Sequence, residues 1–262
     1  MAFLLHKIIR YRLRVTRENL KNAFPDKSEE ELYAIEKNFY RNLSDIAIET
    51  IKGFTISNKS VLKRHKVINP ELLDKYYLRG QSLIGVLGHY GNWEWGTISA
   101  GLQLKHKPVA IYKPLHNPFI DRFIKQNRAK RGTILAPVDN TAETFENYSQ
   151  STCLFLLAAD QSPVNLDKSY WVDFLNQDTA CLHGPEKYAR IYNYPVIFIE
   201  IERVKRGYYH IHLSELIAEP RLLPEGETTK RYMQKLEVLI RNNPGNWLWT
   251  HRRWKRKRIK ST

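Results

Sequence analysis

The sequence predicts an α/β fold: a mostly parallel central sheet with one antiparallel hairpin and helices on both faces. Three observations carry that prediction. From about residue 82, short apolar runs of strand length alternate with helical stretches, the arrangement of units that build a parallel sheet. Runs such as Ser82–Leu87 and Thr152–Ala159 are apolar nearly throughout, as strands covered on both faces must be. Finally, Lys205-Arg206-Gly207 separates two strand-like runs, Pro195–Val204 and Tyr208–Ile217, which predicts a hairpin.

Taken in order, residues 6–23 interleave Arg and Lys with Ile8, Ile9, Leu13, Val15 and Leu20. This basic amphipathic segment reads equally well as lying on anionic lipid or as a solvated helix packed on the domain. After the Pro25-Asp26 turn, Ser28 and Glu31 form a capping-box pattern. Leu32, Ile35, Phe39, Leu43, Ile46 and Ile51 then recur at helical spacing as far as Gly53. Ser82–Leu87 is a buried strand, followed by a Gly-punctuated turn and a helix from about Trp93. Val109–Tyr112 is a strand and Phe119–Arg131 a helix with a basic outer face. Strands at Thr133–Val138 and Thr152–Ala159 flank a helix at Thr141–Tyr148. Gly184–Tyr192 is a helix before the hairpin, Thr228–Arg241 another after it, and the tail is basic and Trp-rich. No linker or repeat interrupts the chain, so one domain is expected over 1–262, with the basic helical segment 1–54 packed on it.

Composition narrows the class. A hydrophobic content of 42% excludes disorder. A formal charge of +15 favours an anionic partner, such as lipid headgroups, a phosphorylated substrate, an acidic carrier protein or nucleic acid. The basic residues are scattered and no nucleic-acid motif is present, so a nucleic-acid-binding module is the rival reading and no nucleic acid is expected. The two cysteines, Cys153 and Cys181, suggest no disulfide framework, and Cys153 lies in an apolar run as a buried thiol. Met1-Ala2-Phe3-Leu4-Leu5 is far short of the roughly 20 apolar residues a membrane-crossing helix needs, so membrane contact is expected to be peripheral. His210 and His212 share one strand face, but no carboxylate or Cys stands at a supporting spacing, so no metal site is predicted.

The informative stretch is Gly88-His89-Tyr90-Gly91-Asn92-Trp93-Glu94-Trp95. It follows a strand and precedes a helix, which places it at the carboxyl edge of the sheet, where open α/β folds build sites. On a continuous helix, positions five apart point about 140° away from each other. Gly88 and Gly91 let the chain turn instead, so that His89 and Glu94 can face one another. A neutral imidazole takes a proton from an attacking hydroxyl through one nitrogen, while a carboxylate on the other fixes its tautomer. On this reading His89 is a general base and Glu94 orients it. No protein nucleophile is required. On these residues alone, a structural His–Glu pair stays open.

His-Tyr-Gly-Asn-Trp-Glu after a strand resembles the signature of the late acyltransferases of lipid A biosynthesis, within the wider glycerolipid acyltransferase superfamily with its His-x4-Asp/Glu motif. Further blocks follow in order: Tyr112-Lys113-Pro114 with Asn117-Pro118; Ala159-Asp160-Gln161; Phe174–Ala180 running to Gly184-Pro185; and Trp247-Leu248-Trp249-Thr250-His251-Arg252-Arg253-Trp254. Together they cover about residues 10–256. Four positions depart from the family pattern. Lys113 stands where Arg is usual and lacks the bidentate fork suited to phosphate. Asn176-Gln177 replaces Gly-Arg/Lys, and His183 replaces a small hydroxylic residue.

The resemblance implies a glycerolipid acyltransferase-like fold and acyl transfer from an acyl thioester, acyl carrier protein being the donor, to a hydroxyl of a lipid A precursor or related glycolipid. It implies substrate contacts at Asn92, Lys113, Asn117, Asp160, Gln161 and Arg190, with Lys113 and Arg190 as candidate phosphate holders. It calls for no metal or organic cofactor. It also implies work at the cytoplasmic face of the bacterial inner membrane, peripheral in this form, on an anionic surface. Other acceptors, a lysophospholipid or an amino-acid lipid, would suit the same chemistry. Family members usually begin with a hydrophobic anchoring helix that this sequence lacks, which leaves open both a trimmed parent chain and reliance on the basic surface.

Overall fold

A computed structural model describes residues 1–258. After a short π-helical turn at Leu4–Ile8, helices α1 (Leu13–Ala23) and α2 (Glu29–Gly53) form the amino-terminal layer. Arg10 and Arg12, both with positive φ, break the basic segment before α1. Both hydrogen bonds of the predicted capping box are present at Ser28 and Glu31, and they start α2.

The remaining elements are α3 (Asn58–Arg64), β1 (His65–Val67), α4 (Asp74–Tyr77), β2 (Leu83–Leu87), α5 (Trp93–Gln103), β3 (Lys107–Tyr112), α6 (Pro118–Ala129), β4 (Ile134–Pro137) and α7 (Thr141–Asn147). Then come β5 (Cys153–Ala158), β6 (Ser169–Phe174), β7 (Gln177–Leu182), α8 (Gly184–Tyr192), β8 (Val196–Lys205), β9 (Tyr208–Ile217) and α9 (Glu227–Asn242). Seven strands form one sheet in the order β1-β9-β8-β2-β5-β3-β4, all paired in parallel except β8 with β9. The predicted α/β sheet and its hairpin are therefore present. Strands β6 and β7 form a separate antiparallel ribbon.

The apolar strands read from sequence are central. Every residue of β2 is buried, and its side chains alternate between two cores. Ile84 and Val86 pack with Phe155, Phe198 and residues of α2 and α9; Leu83 and Leu87 pack with Leu154, Ile197 and Ile199 on the other face. Phe145 stacks between Phe155 and Tyr188 at centroid separations of 4.0 and 4.2 Å, tying α7 and α8 to the sheet. Among the described residues, no helix is long and apolar enough to cross a membrane.

The carboxyl-terminal segment returns to the carboxyl edge of the sheet. Gly91 donates its N–H to the Asn246 carbonyl, and Leu248 donates to the His89 carbonyl. Asn19 on α1 donates to the carbonyls of Trp249 and His251. Helix α1, the tail and the loop after β2 are thereby knitted together by hydrogen bonds between residues far apart in sequence.

Candidate active site

His89 and Asp160 meet because of strand register. Leu87 at the end of β2 pairs with Ala158 at the end of neighbouring β5, and each functional residue lies two positions further on. Asp160 Oδ1 accepts from His89 Nδ1 at 2.5 Å, and Oδ2 accepts the His89 backbone N–H at 2.8 Å. Trp247 from the tail donates Nε1–H to the same Oδ2 at 2.7 Å. Asp160 is 2% exposed. Burial alone would raise its pKa, but His89, the Trp247 donor and the backbone N–H reverse that and hold the carboxyl at about 2. For His89, burial disfavours the charged form, yet the Asp160 charge and hydrogen bond, with a smaller contribution from Glu94, raise its pKa above the ordinary 6.5.

Because Asp160 is ionised and can only accept, the proton of neutral His89 sits on Nδ1 and the lone pair on Nε2. That lone pair faces Gln161, whose side-chain amide donates to it at 3.1 Å. Trp93 packs edge-on against the imidazole at 5.2 Å. Next in the loop, the Ser162 N–H donates to Nε2 of His251 at 3.1 Å. Burial drives the His251 pKa down to about 4, so this ring is a neutral acceptor at physiological pH.

Gly88 and Gly91 turn the chain as expected, but what they allow is close packing on α9 and β8 rather than a meeting of His89 with Glu94. Gly91 has φ +60°, and a Cβ there would lie 2.8 Å from Ile201 Cγ2 and 2.9 Å from the Ile201 carbonyl oxygen. A Cβ on Gly88 would lie 2.7 Å from Leu236 and 3.2 Å from Asp160. Larger residues would push the His89 loop off the tail and α9.

The expected pairing of His89 with Glu94 is corrected. Asn92 caps α5 by accepting from Trp95 N, so Glu94 falls in the first helical turn. There its carboxylate pairs with Arg128 of α6. Glu94 acts on His89 through its charge, and Asp160 holds the position on Nδ1 that sequence spacing assigns to Glu94.

The predicted substrate contacts divide. Asp160 and Gln161 are in the site. Lys113 is exposed, just past β3 at the same edge of the sheet. Asn92 is corrected to a structural role: it is fully buried, and its amide donates to Glu49 Oε2 at 2.6 Å. Glu49 also accepts from Tyr209 OH, and burial raises its pKa. Asn117 is likewise a helix cap, accepting from Phe119 N and Ile120 N. Arg190 closes the end of α8 on the carbonyls of Leu223 and Pro220, next to where β8 begins and hence at the opposite edge of the sheet from His89.

Trp247 and His251 are site residues whose chemistry sequence spacing does not reveal. Arg253 is 1% exposed and bonds Cys181 Sγ at 3.4 Å, and its charge opposes that of Asp160. On the hairpin, strand pairing sets Glu202 opposite His210. Glu202, His210 and His212 offer ligand atoms within 4.8 Å of one another, so the carboxylate missing from local spacing comes from across the sheet.

The order of the sequence blocks around the His89–Asp160 pair matches one known family over nearly the whole chain. Residues 1–256 match the family described as bacterial lipid A biosynthesis acyltransferase. The chain belongs to that family. It is 30% identical over 124 residues to a lipid A biosynthesis acyltransferase of Haemophilus influenzae, a stretch covering 47% of this chain and 39% of that relative. It is 22% identical over 254 residues to the lipid A biosynthesis lauroyltransferase of Escherichia coli, covering 95% of this chain and 81% of that relative. Against the first relative, then, the likeness spans well under half of that protein's length.

Proposed function

We propose that this lipid A acyltransferase family member moves a fatty acyl chain from an acyl thioester, carried by acyl carrier protein, to a hydroxyl of a lipid A precursor at the cytoplasmic face of the inner membrane. The observation that carries the mechanism is the Asp160–His89 pair, with Nδ1 held and Nε2 presented. The acceptor hydroxyl takes the place of the Gln161 amide at Nε2. As its oxygen attacks the thioester carbonyl, its proton passes to Nε2. The imidazolium is stabilised by Asp160 at contact and by Glu94 at longer range. Collapse of the tetrahedral intermediate breaks the C–S bond, and the leaving thiolate takes the proton back from Nε2, leaving an ester and a free thiol. Lys113, exposed at the same edge, supplies positive charge for a phosphorylated acceptor or carrier arm.

This reading is tested by mass spectrometry of lipid A from cells with and without the gene. Loss of the gene should leave lipid A lighter by one acyl chain, and an unchanged acyl pattern would refute the acceptor assignment.

A further inference from the structure

Helix α6 is unusual for a surface helix. Of its twelve residues only Asn127 is buried. Phe119 is 81% exposed, and Ile120, Phe123 and the preceding Leu115 are about half exposed. Phe119, Ile120, Phe123, Ile124 and Asn127 form one stripe at helical spacing. Its carboxyl end is anchored: Phe123 packs on Phe54 at 5.0 Å, Asn127 donates to the Phe54 carbonyl, and Arg128 pairs with Glu94. The amino end of the stripe meets nothing that removes it from water. A helix this short gains little from its own hydrogen bonds and relies on burying an apolar face.

The charges around the stripe are predominantly positive. Lys113, Arg122, Lys125 and Lys130 flank it, all exposed. The single acid of α6, Asp121, is engaged by hydrogen bonds, accepting from Tyr112 OH and Leu115 N. Trp247 and Trp249 of the tail offer no such surface, being 2% and 0% exposed.

We propose that the segment Lys113–Lys130 is a membrane-docking wedge, in which Leu115, Phe119 and Ile120 sink into an anionic bilayer and the flanking cations meet its headgroups. Basic residues around an exposed apolar ridge complement a negatively charged lipid surface. A convex ridge can dip into a fluid layer, whereas a protein partner would have to present a groove that fits it. If the reaction proposed above is right, docking turns the His89 edge toward the bilayer, since α6 is tied to Glu94. The docking itself does not depend on that reaction.

The test uses the full chain with vesicles of phosphatidylcholine, with and without phosphatidylglycerol. Both native cysteines are buried, so an environment-sensitive dye on Phe119→Cys reports from α6 alone. Its emission should shift to the blue on anionic vesicles, the shift should weaken as salt is raised, and neutral vesicles should give none. Co-sedimentation of Phe119→Ser/Ile120→Ser should fall at least about tenfold, given the apolar area those side chains would bury. Arg122→Glu/Lys125→Glu should fall as well, both variants keeping the parent circular dichroism. His89→Ala should dock like the parent, which separates failure of the wedge from failure of the chemistry. Equal sedimentation of the serine variant, a silent dye on bound vesicles, or absent vesicle binding would overturn the proposal. So would a dye response to an acidic carrier protein instead of lipid.

Discussion

Asp160→Asn probes the site most sharply, because the substitution keeps shape and removes only charge and acceptor capacity. Asp160 accepts three hydrogen bonds, from His89 N, His89 Nδ1 and Trp247 Nε1. An asparagine keeps one accepting oxygen and presents an N–H in place of the other. With the oxygen toward the His89 backbone and Trp247, the amide N–H confronts His89 Nδ1. The imidazole then moves its proton to Nε2 and loses the lone pair that accepts the substrate proton. Loss of the correct tautomer in a comparable histidine–carboxylate arrangement costs about 10⁴-fold in turnover, roughly 5.4 kcal/mol at about 1.36 kcal/mol per factor of ten.

The pH dependence supplies a second reading. His89 is raised above 6.5, so the neutral base, and with it the rate, should appear only as pH climbs through that raised value. In the variant the limb should move downward. Stability should follow the same pair. His89 contributes stability below its unfolded pKa and loses it as pH rises through its folded value. Asp160 contributes above its unfolded value and loses it as pH falls toward about 2. The gap in melting temperature between parent and variant should therefore be widest from about pH 4 to 6.5 and narrow as pH rises through the raised folded value of His89. Acyl-transfer rates over a pH series, with thermal melts at each pH, measure both. A variant retaining parental rate and an unmoved limb would show that Asp160 does not set the His89 tautomer.

Glu94→Gln should lower turnover by withdrawing long-range negative charge from the imidazolium that forms at His89, and by less than the roughly hundredfold expected for loss of the base itself. Its pH–rate limb should shift down, and a parental limb and rate would show that Glu94 serves only to hold Arg128. Gly91→Ala should destabilise the fold by about 2–4 kcal/mol, combining a left-handed backbone with contact against Ile201. Denaturant melts reading less than about 1 kcal/mol would mean the loop has room to move.

Much of this molecule is legible in its sequence, and the exceptions have identifiable causes. Gly184–Tyr192 is recoverable to the residue because Pro185 opens it and an apolar face runs through it. The hairpin Tyr208–Ile217 follows a turn with Gly207 at φ +74°. The β6–β7 ribbon escapes detection because its turn residues, Leu175 and Asn176, have φ of +52° and +61° without a glycine to signal it. Strand β1 has three residues, too few for a periodicity. In the site, His89 stands out from local pattern alone, while its carboxylate partner depends on the β2–β5 register across 71 residues. Local spacing favours Glu94 instead, because it cannot show that Asn92 caps α5 and turns Glu94 toward Arg128. The family blocks at Asn92 and Asn117 mark residues that shape the loops, and their side chains are committed to caps.

The role proposed for His89 is that of base for acyl transfer. It is tested by supplying purified parent and His89→Ala protein with an acyl thioester and a lipid A precursor, and counting acylated product by mass spectrometry. The parent should form product and the variant at least about a hundredfold less, with matching circular dichroism. A folded His89→Ala enzyme turning over at the parental rate would contradict it.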